Sequence, residues 1–156
     1  MRTILPAVAL LLGLSACAPP PEAPEARENP ATTVTEAAAR DGAFIHISHG
    51  TDDPHRVAMA LQMAALMAEE RDVLVYFDIR GIEVVLKDAP NITYSHFPGS
   101  REQLGALMAR GVTLAACPGC LKAAGKSAAD LAEGITVADK DRFFGFTRGR
   151  ILTLDY

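Results

Sequence analysis

The chain is 156 residues long, 49% hydrophobic and 22% charged, with a formal net charge of −4. That length leaves room for one ordinary domain, and the mild acidity argues against nucleic acid as a partner.

The first residues read as an export signal. Met1-Arg2 precedes the apolar run Ile4 to Leu14, and Leu14-Ser15-Ala16-Cys17 then reads as a lipobox, the end of a bacterial lipoprotein leader. The run is shorter than the roughly 20 apolar residues a membrane-spanning helix needs. This reading makes residues 1–16 a signal peptide and Cys17 a lipidation site. Residues 17–40, rich in Pro, Ala, Glu and Thr, become a disordered tether. The expected address is the bacterial cell envelope, lipid-anchored and facing the periplasm. Residues 41–156 are left as the folded domain.

Within that domain, Ala43 to Ser48 is a short, mostly apolar run between glycines, as expected of a strand buried on both faces. Asp53 stands where a helix cap belongs and Pro54 at the first helical position, and Val57, Ala60, Leu61, Ala64 and Ala68 carry a helical period to about Glu70. Val73 to Phe77 is a second buried strand, most simply joined to the first as a βαβ unit. Gly81 to Leu86 fits either a strand or a loop. Ser100 and Gln103 have capping-box spacing for a helix to Arg110, stopped by Gly111.

Val112 to Ala116 is the third clear strand, with Cys117 at its end. A helical stretch from Gly119 to Ala124 follows, then a short helix capped by Ser127 and the strand Ile135 to Val137. Asp139 caps a turn through Phe144, and Arg150 to Leu154 is an alternating edge strand. Strands interleaved with helices define a doubly wound α/β domain.

In such a sheet the site forms beyond the carboxyl ends of the strands. Three loops end there, carrying His49 to His55, Asp78 to Gly81, and Cys117-Pro118-Gly119-Cys120. A cysteine just ahead of a helix faces unpaired N–H groups that favour its thiolate. A single Cys-x-x-Cys pair leaves four readings open. It can be a reactive thiol with its resolving partner, or a copper or zinc clamp formed with His49 and His55. It can be a structural disulfide in a non-catalytic envelope protein, or a disulfide oxidoreductase pair, although no thioredoxin-type context is visible. His46 reads as a hydrogen-bonded core residue, and His96 lies in a loop without a supporting pattern. Met59, Met63 and Met67 read as core filler rather than a thioether stripe.

The segments HISHGTDDPHRVAMALQMA, DVLVYFDIRGIEVVLKD, GVTLAACPGCLKAAGKSAADL and VADKDRFFGFTRGRILTLDY together resemble the DsrE-like sulfur-relay family over about residues 42–156. The resemblance implies a flavodoxin-like three-layer α/β/α subunit with a mostly parallel sheet of about five strands, and it implies homo- or hetero-oligomers. It also implies a strand-end cysteine that carries sulfur as a persulfide to or from a partner. Cys117 matches that cysteine by position, whereas Cys120 has no counterpart in the general pattern, and the exported, lipidated character departs from the family's usual cytoplasmic setting. The expectation is a membrane-tethered sulfur carrier or sulfurtransferase-like protein. Cys117 would be the persulfide-bearing nucleophile and Cys120 the resolving thiol, with His49 and Asp52 orienting or protonating. No resident cofactor is expected unless copper or zinc binds, and the partners are a sulfur donor or acceptor protein or a small sulfane-sulfur compound.

Overall fold

The computed structural model describes residues 40–156. The leader, Cys17 and the tether expected ahead of the domain lie outside the described residues, apart from residue 40 itself. Five strands form one sheet: β1 (Gly42–Ile47), β2 (Asp72–Phe77), β3 (Thr113–Ala116), β4 (Thr136–Val137) and β5 (Ile151–Asp155). Their order is β4-β3-β2-β1-β5, and every pairing is parallel. The sheet is therefore wholly parallel, with β5 at an edge, where its alternating sequence suits a strand buried less than its neighbours.

Alternation along the strands sorts side chains onto two faces. Ala43, Ile45 and Ile47 of β1, Val73, Val75 and Phe77 of β2, and Leu114 and Ala116 of β3 share one core. Over it pack Val57, Ala60, Leu61 and Ala64 of helix α1 (Pro54–Met67) and Leu104 and Leu107 of α2 (Ser100–Ala109). Leu121 of the short α3 (Pro118–Ala123) joins the same cluster.

The opposite face carries Phe44, His46 and Tyr76, and its cover is the seven-residue α4 (Lys140–Phe146). Phe143 sets its ring edge-on to Phe44 and to Tyr76, each at 5.4 Å between centroids. Helices on both faces make a three-layer α/β arrangement whose second outer layer is thin.

Local chemistry accounts for most boundaries. The Asp53 carboxylate accepts the Arg56 N–H at 3.1 Å and Pro54 opens α1, as the sequence predicts. Gly111, at φ +76, closes the turn after α2. Asp139 accepts the Arg142 N–H at 2.9 Å ahead of α4, and Ser127 with Asp130 makes a capping box on a 3₁₀ turn.

Three expectations need correction. Gly81–Val85, open between strand and loop, is a 3₁₀ turn, and only Leu86 forms a bridge, to Leu131. Helix α1 ends at Met67, three residues short of Glu70. Ser100 and Gln103 are not a capping box: the cap residue is Gly99. The buried Ser100 Oγ instead accepts the Ile92 N–H at 2.9 Å, and Asn91 Oδ1 accepts the Arg101 N–H at 3.0 Å. A side chain ten residues upstream therefore satisfies the helix start, and Gln103 Nε2 is free to donate to the Pro98 carbonyl at 2.8 Å.

Candidate functional site

The β1, β2 and β3 loops meet at one rim, beyond the carboxyl ends of their strands. The Cys117 N–H donates to the Phe77 carbonyl at 2.8 Å, extending the β2–β3 ladder to the cysteine, and the Asp78 N–H donates to the Ile47 carbonyl at 3.1 Å. Gly81 makes this convergence possible, because any Cβ there would collide with the Ile47 carbonyl.

Cys117 is the cap residue of α3, and its sulfur accepts the Cys120 N–H at 3.3 Å. The residue is partly exposed. Burial opposes its ionisation. Hydrogen bonds from the Tyr76 hydroxyl, the Cys120 thiol, and the Cys120 and Gly119 N–H groups outweigh burial and hold the Cys117 thiol below its usual range. Burial and the bond to Cys117 push the Cys120 thiol the other way, against the pull of the Ile79 N–H, which lies 3.1 Å from its sulfur. One thiol of the pair is thus disposed to ionise and the other to remain protonated. Burial, with the facing Cys117, raises the Tyr76 phenol as well, so it stays a donor.

Ile79 presents its N–H from φ +46, a left-handed conformation that a β-branched residue adopts only at a cost of about 1–3 kcal/mol. It is 64% exposed. Strain of this kind gathers where surrounding structure fixes a functional geometry.

His49 and Asp52 are joined to each other, Nδ1 to Oδ2 at 2.8 Å, and Asp52 Oδ1 also accepts the Gly50 N–H at 2.8 Å. Those two bonds, the backbone one larger, hold the Asp52 carboxyl down at about 2. Arg80 Nε stands 3.6 Å from Asp52 Oδ1 and 3.1 Å from Glu83 Oε1. The pair therefore shares the rim with the thiols and ties the β1 loop to the loop that touches Cys120. Among the described residues, no hydrogen bond or ion pair joins either member to a thiol.

His55 stacks on Tyr94 with centroids 4.4 Å apart, and His96 stacks on Phe97 at 4.5 Å. Both are surface aromatic contacts. Among the described residues, no three His, Cys, Asp or Glu side chains gather in a metal-binding arrangement, and no helix is long and apolar enough to cross a membrane.

Sequence reasoning did not single out Tyr76 or the charged cluster beside it. His46 Nδ1 hydrogen-bonds Asp155 Oδ1 at 2.7 Å, and His46 Nε2 lies 2.8 Å from Asp78 Oδ1, an ion-pair contact without hydrogen-bond alignment. Burial disfavours the imidazolium, but the two carboxylates prevail and raise the His46 pKa. The usable signal was period two. Tyr76 pairs in register with Ala115, so it lies on the face to which the alternation returns at Cys117.

A parallel α/β domain with an asymmetric dithiol at the carboxyl rim defines a class of thiol-bearing, flavodoxin-like proteins. The chain belongs to the DsrE/DsrF-like family, whose model matches residues 41–147. Among solved structures it is similar to MTH1491 of Methanobacterium thermoautotrophicum, a protein of unknown function, at 23% identity and a TM-score of 0.52 over 73% of this chain and 98% of that one. It is similar also to the ychN protein of E. coli, at 13% identity and a TM-score of 0.53 over 74% and 99%. Both likenesses concern the fold. No curated protein matches the chain. Membership of the family suggests, at a coarse level, a role of sulfur-relay type.

Proposed function

We propose that the protein is a lipid-anchored carrier of sulfane sulfur on the periplasmic side of a bacterial envelope. Cys117 is the persulfide-bearing nucleophile, Cys120 is the resolving thiol, and the anchor is Cys17. The observation that carries this reading is the seat of Cys117 at the head of α3, its sulfur accepting the Cys120 N–H at 3.3 Å, because main-chain donors there favour the thiolate, the form that attacks sulfur. The opposite pKa directions of the two thiols agree with it.

In loading, the Cys117 thiolate attacks a sulfane atom. A Cys117–sulfur bond forms, the donor's sulfur–sulfur bond breaks, and its electron pair leaves with the shortened donor. The persulfide then has two exits. An acceptor thiolate can take the outer sulfur, returning Cys117 as thiolate. Alternatively, Cys120, once deprotonated, attacks the Cys117 sulfur, which forms the disulfide and expels the outer sulfur as hydrosulfide carrying the broken bond's electron pair. The second exit leaves the dithiol oxidised by two electrons, so a dithiol reductant must restore it. His49, oriented by Asp52, is the rim imidazole available to protonate the departing hydrosulfide.

Mass spectrometry after incubation with polysulfide tests the assignment. The expected result is a one-sulfur gain on the Cys117 peptide of a Cys120→Ser variant and no gain in Cys117→Ser. An adduct that survives Cys117→Ser contradicts it.

A further inference from the structure

An open cleft of about 240 Å³ lies beside the nucleophile, between the sheet face under α4 and the first residue of α3. Its lining includes Tyr76, Pro118, Lys140, Phe143 and Phe144. The Tyr76 hydroxyl acts on Cys117, lowering its thiol, and Pro118 is the next residue in the chain. The cleft thus adjoins Cys117 on one side of α3, while Cys120 meets Ile79 of the β2 loop.

The lining is unusual in charge. Asp139 also lines it, but its carboxylate accepts the Arg142 N–H at 2.9 Å and faces Arg142 Nε at 3.8 Å. Lys140 is exposed and has no hydrogen-bond or ion-pair partner among the described residues. One unpaired cation over three aromatic rings is a poor seat for a strongly hydrated oxyanion such as thiosulfate, which would shed water against apolar walls and gain only a single charge contact. It suits a chain of sulfur atoms, polarisable and weakly hydrated, with charge at one end. Sulfur against an aromatic ring is favourable by a factor of about two to ten in an equilibrium constant.

We propose that this cleft seats the sulfur donor as a short inorganic polysulfide monoanion, its chain against the rings of Tyr76, Phe143 and Phe144 and its charged end toward Lys140. The inference rests on the carrier reading above and names the donor for it. The Cys117 thiolate attacks the terminal HS sulfur of the bound hydropolysulfide and forms the persulfide. The terminal sulfur–sulfur bond breaks, and its electron pair leaves with the chain, now one sulfur shorter, which takes a proton from water. No outside oxidant or reductant is needed. Tyr76 keeps its proton and acts by hydrogen-bonding the attacking sulfur.

The test uses the full chain with Lys140→Gln and Phe144→Ala, two exposed positions whose replacement leaves the core untouched. Initial rates of sulfur gain on Cys117 are compared for inorganic tetrasulfide, thiosulfate and glutathione persulfide, with alkylation by neutral iodoacetamide as the control. With tetrasulfide, Lys140→Gln should slow loading about threefold at low salt, the effect fading as salt screens the charge. Phe144→Ala should slow it about fivefold through the lost ring contact. Iodoacetamide rates should stay within about twofold of the parent, since neither side chain hydrogen-bonds the Cys117 sulfur. Unchanged tetrasulfide rates in both variants overturn the cleft assignment, as does faster loading from thiosulfate or glutathione persulfide than from tetrasulfide. A parent protein that takes sulfur from none of the three donors instead overturns the carrier reading itself.

Discussion

Cys117 and Cys120 stand three residues apart and meet different surroundings. Cys117 ends a central strand, faces the Tyr76 hydroxyl and receives N–H groups from the turn that follows it. Cys120 lies inside that turn against the β2 loop, with one strained N–H for company. Spacing makes the two sulfurs neighbours, and the sheet makes them unequal. The same four letters on a floppy loop would supply a dithiol without a preferred nucleophile. The carbonyl of Phe77, the Tyr76 phenol and the Gly81 approach give one sulfur the role of attacker and leave the other to follow.

Removing the shared foundation should have the largest effect. Phe77 is fully buried at the end of β2, and its carbonyl holds the Cys117 N–H. Phe77→Ala should cost about 3–5 kcal/mol of unfolding free energy in a urea titration and narrow the difference between the thiols by loosening the strand end that carries Tyr76 and Cys117. A clash comes next. Gly81→Ala forces the β2 loop off the Ile47 carbonyl, with an expected loss of about 1–3 kcal/mol. It should also raise the Cys120 thiol further by withdrawing the Ile79 N–H, visible as slower Cys120 alkylation.

Tyr76→Phe sharpens the contrast by acting on one thiol only. Losing the Tyr76 hydroxyl should raise the Cys117 pKa and slow its alkylation near neutrality several-fold. Cys120 should change little. His49→Gln should alter Cys117 alkylation by less than about twofold, because no bond joins the imidazole to either sulfur. Its effect should appear in hydrosulfide release instead.

The smallest expected effect is on stability against pH. The folded His46 pKa is raised, so its contribution is fully present below the unfolded value of about 6.5 and is lost as pH rises through the folded value. The melting temperature should therefore fall modestly across that window. Asp155→Asn, which removes the carboxylate 2.7 Å away, should flatten the fall.

Much of this rim was legible in the residue pattern. Asp53-Pro54 announced α1, and the apolar runs announced β1, β2 and β3, because local chemistry and period decide those elements. The position of Cys117 followed from them. What escaped depended on distant partners. Ser100 looks like a cap by its neighbours, yet Ile92 claims its hydroxyl and Asn91 does the capping. His46 reads as a hydrogen-bonded core residue, and it is hydrogen-bonded, but its side chain is 25% exposed and its carboxylate partners are Asp78 and Asp155, the latter 109 residues away. Tyr76 sits in a run that any strand template accepts, and only the register against β3 makes it the partner of Cys117. His49 and Asp52 were both singled out, but their bond to each other at 2.8 Å was not.

The most direct measurement is the alkylation rate of each cysteine against pH, read separately by peptide mass mapping on the reduced full chain. Cys117 should titrate below the ordinary thiol range and Cys120 above it. Two indistinguishable curves, or Cys120 ionising first, would contradict the account.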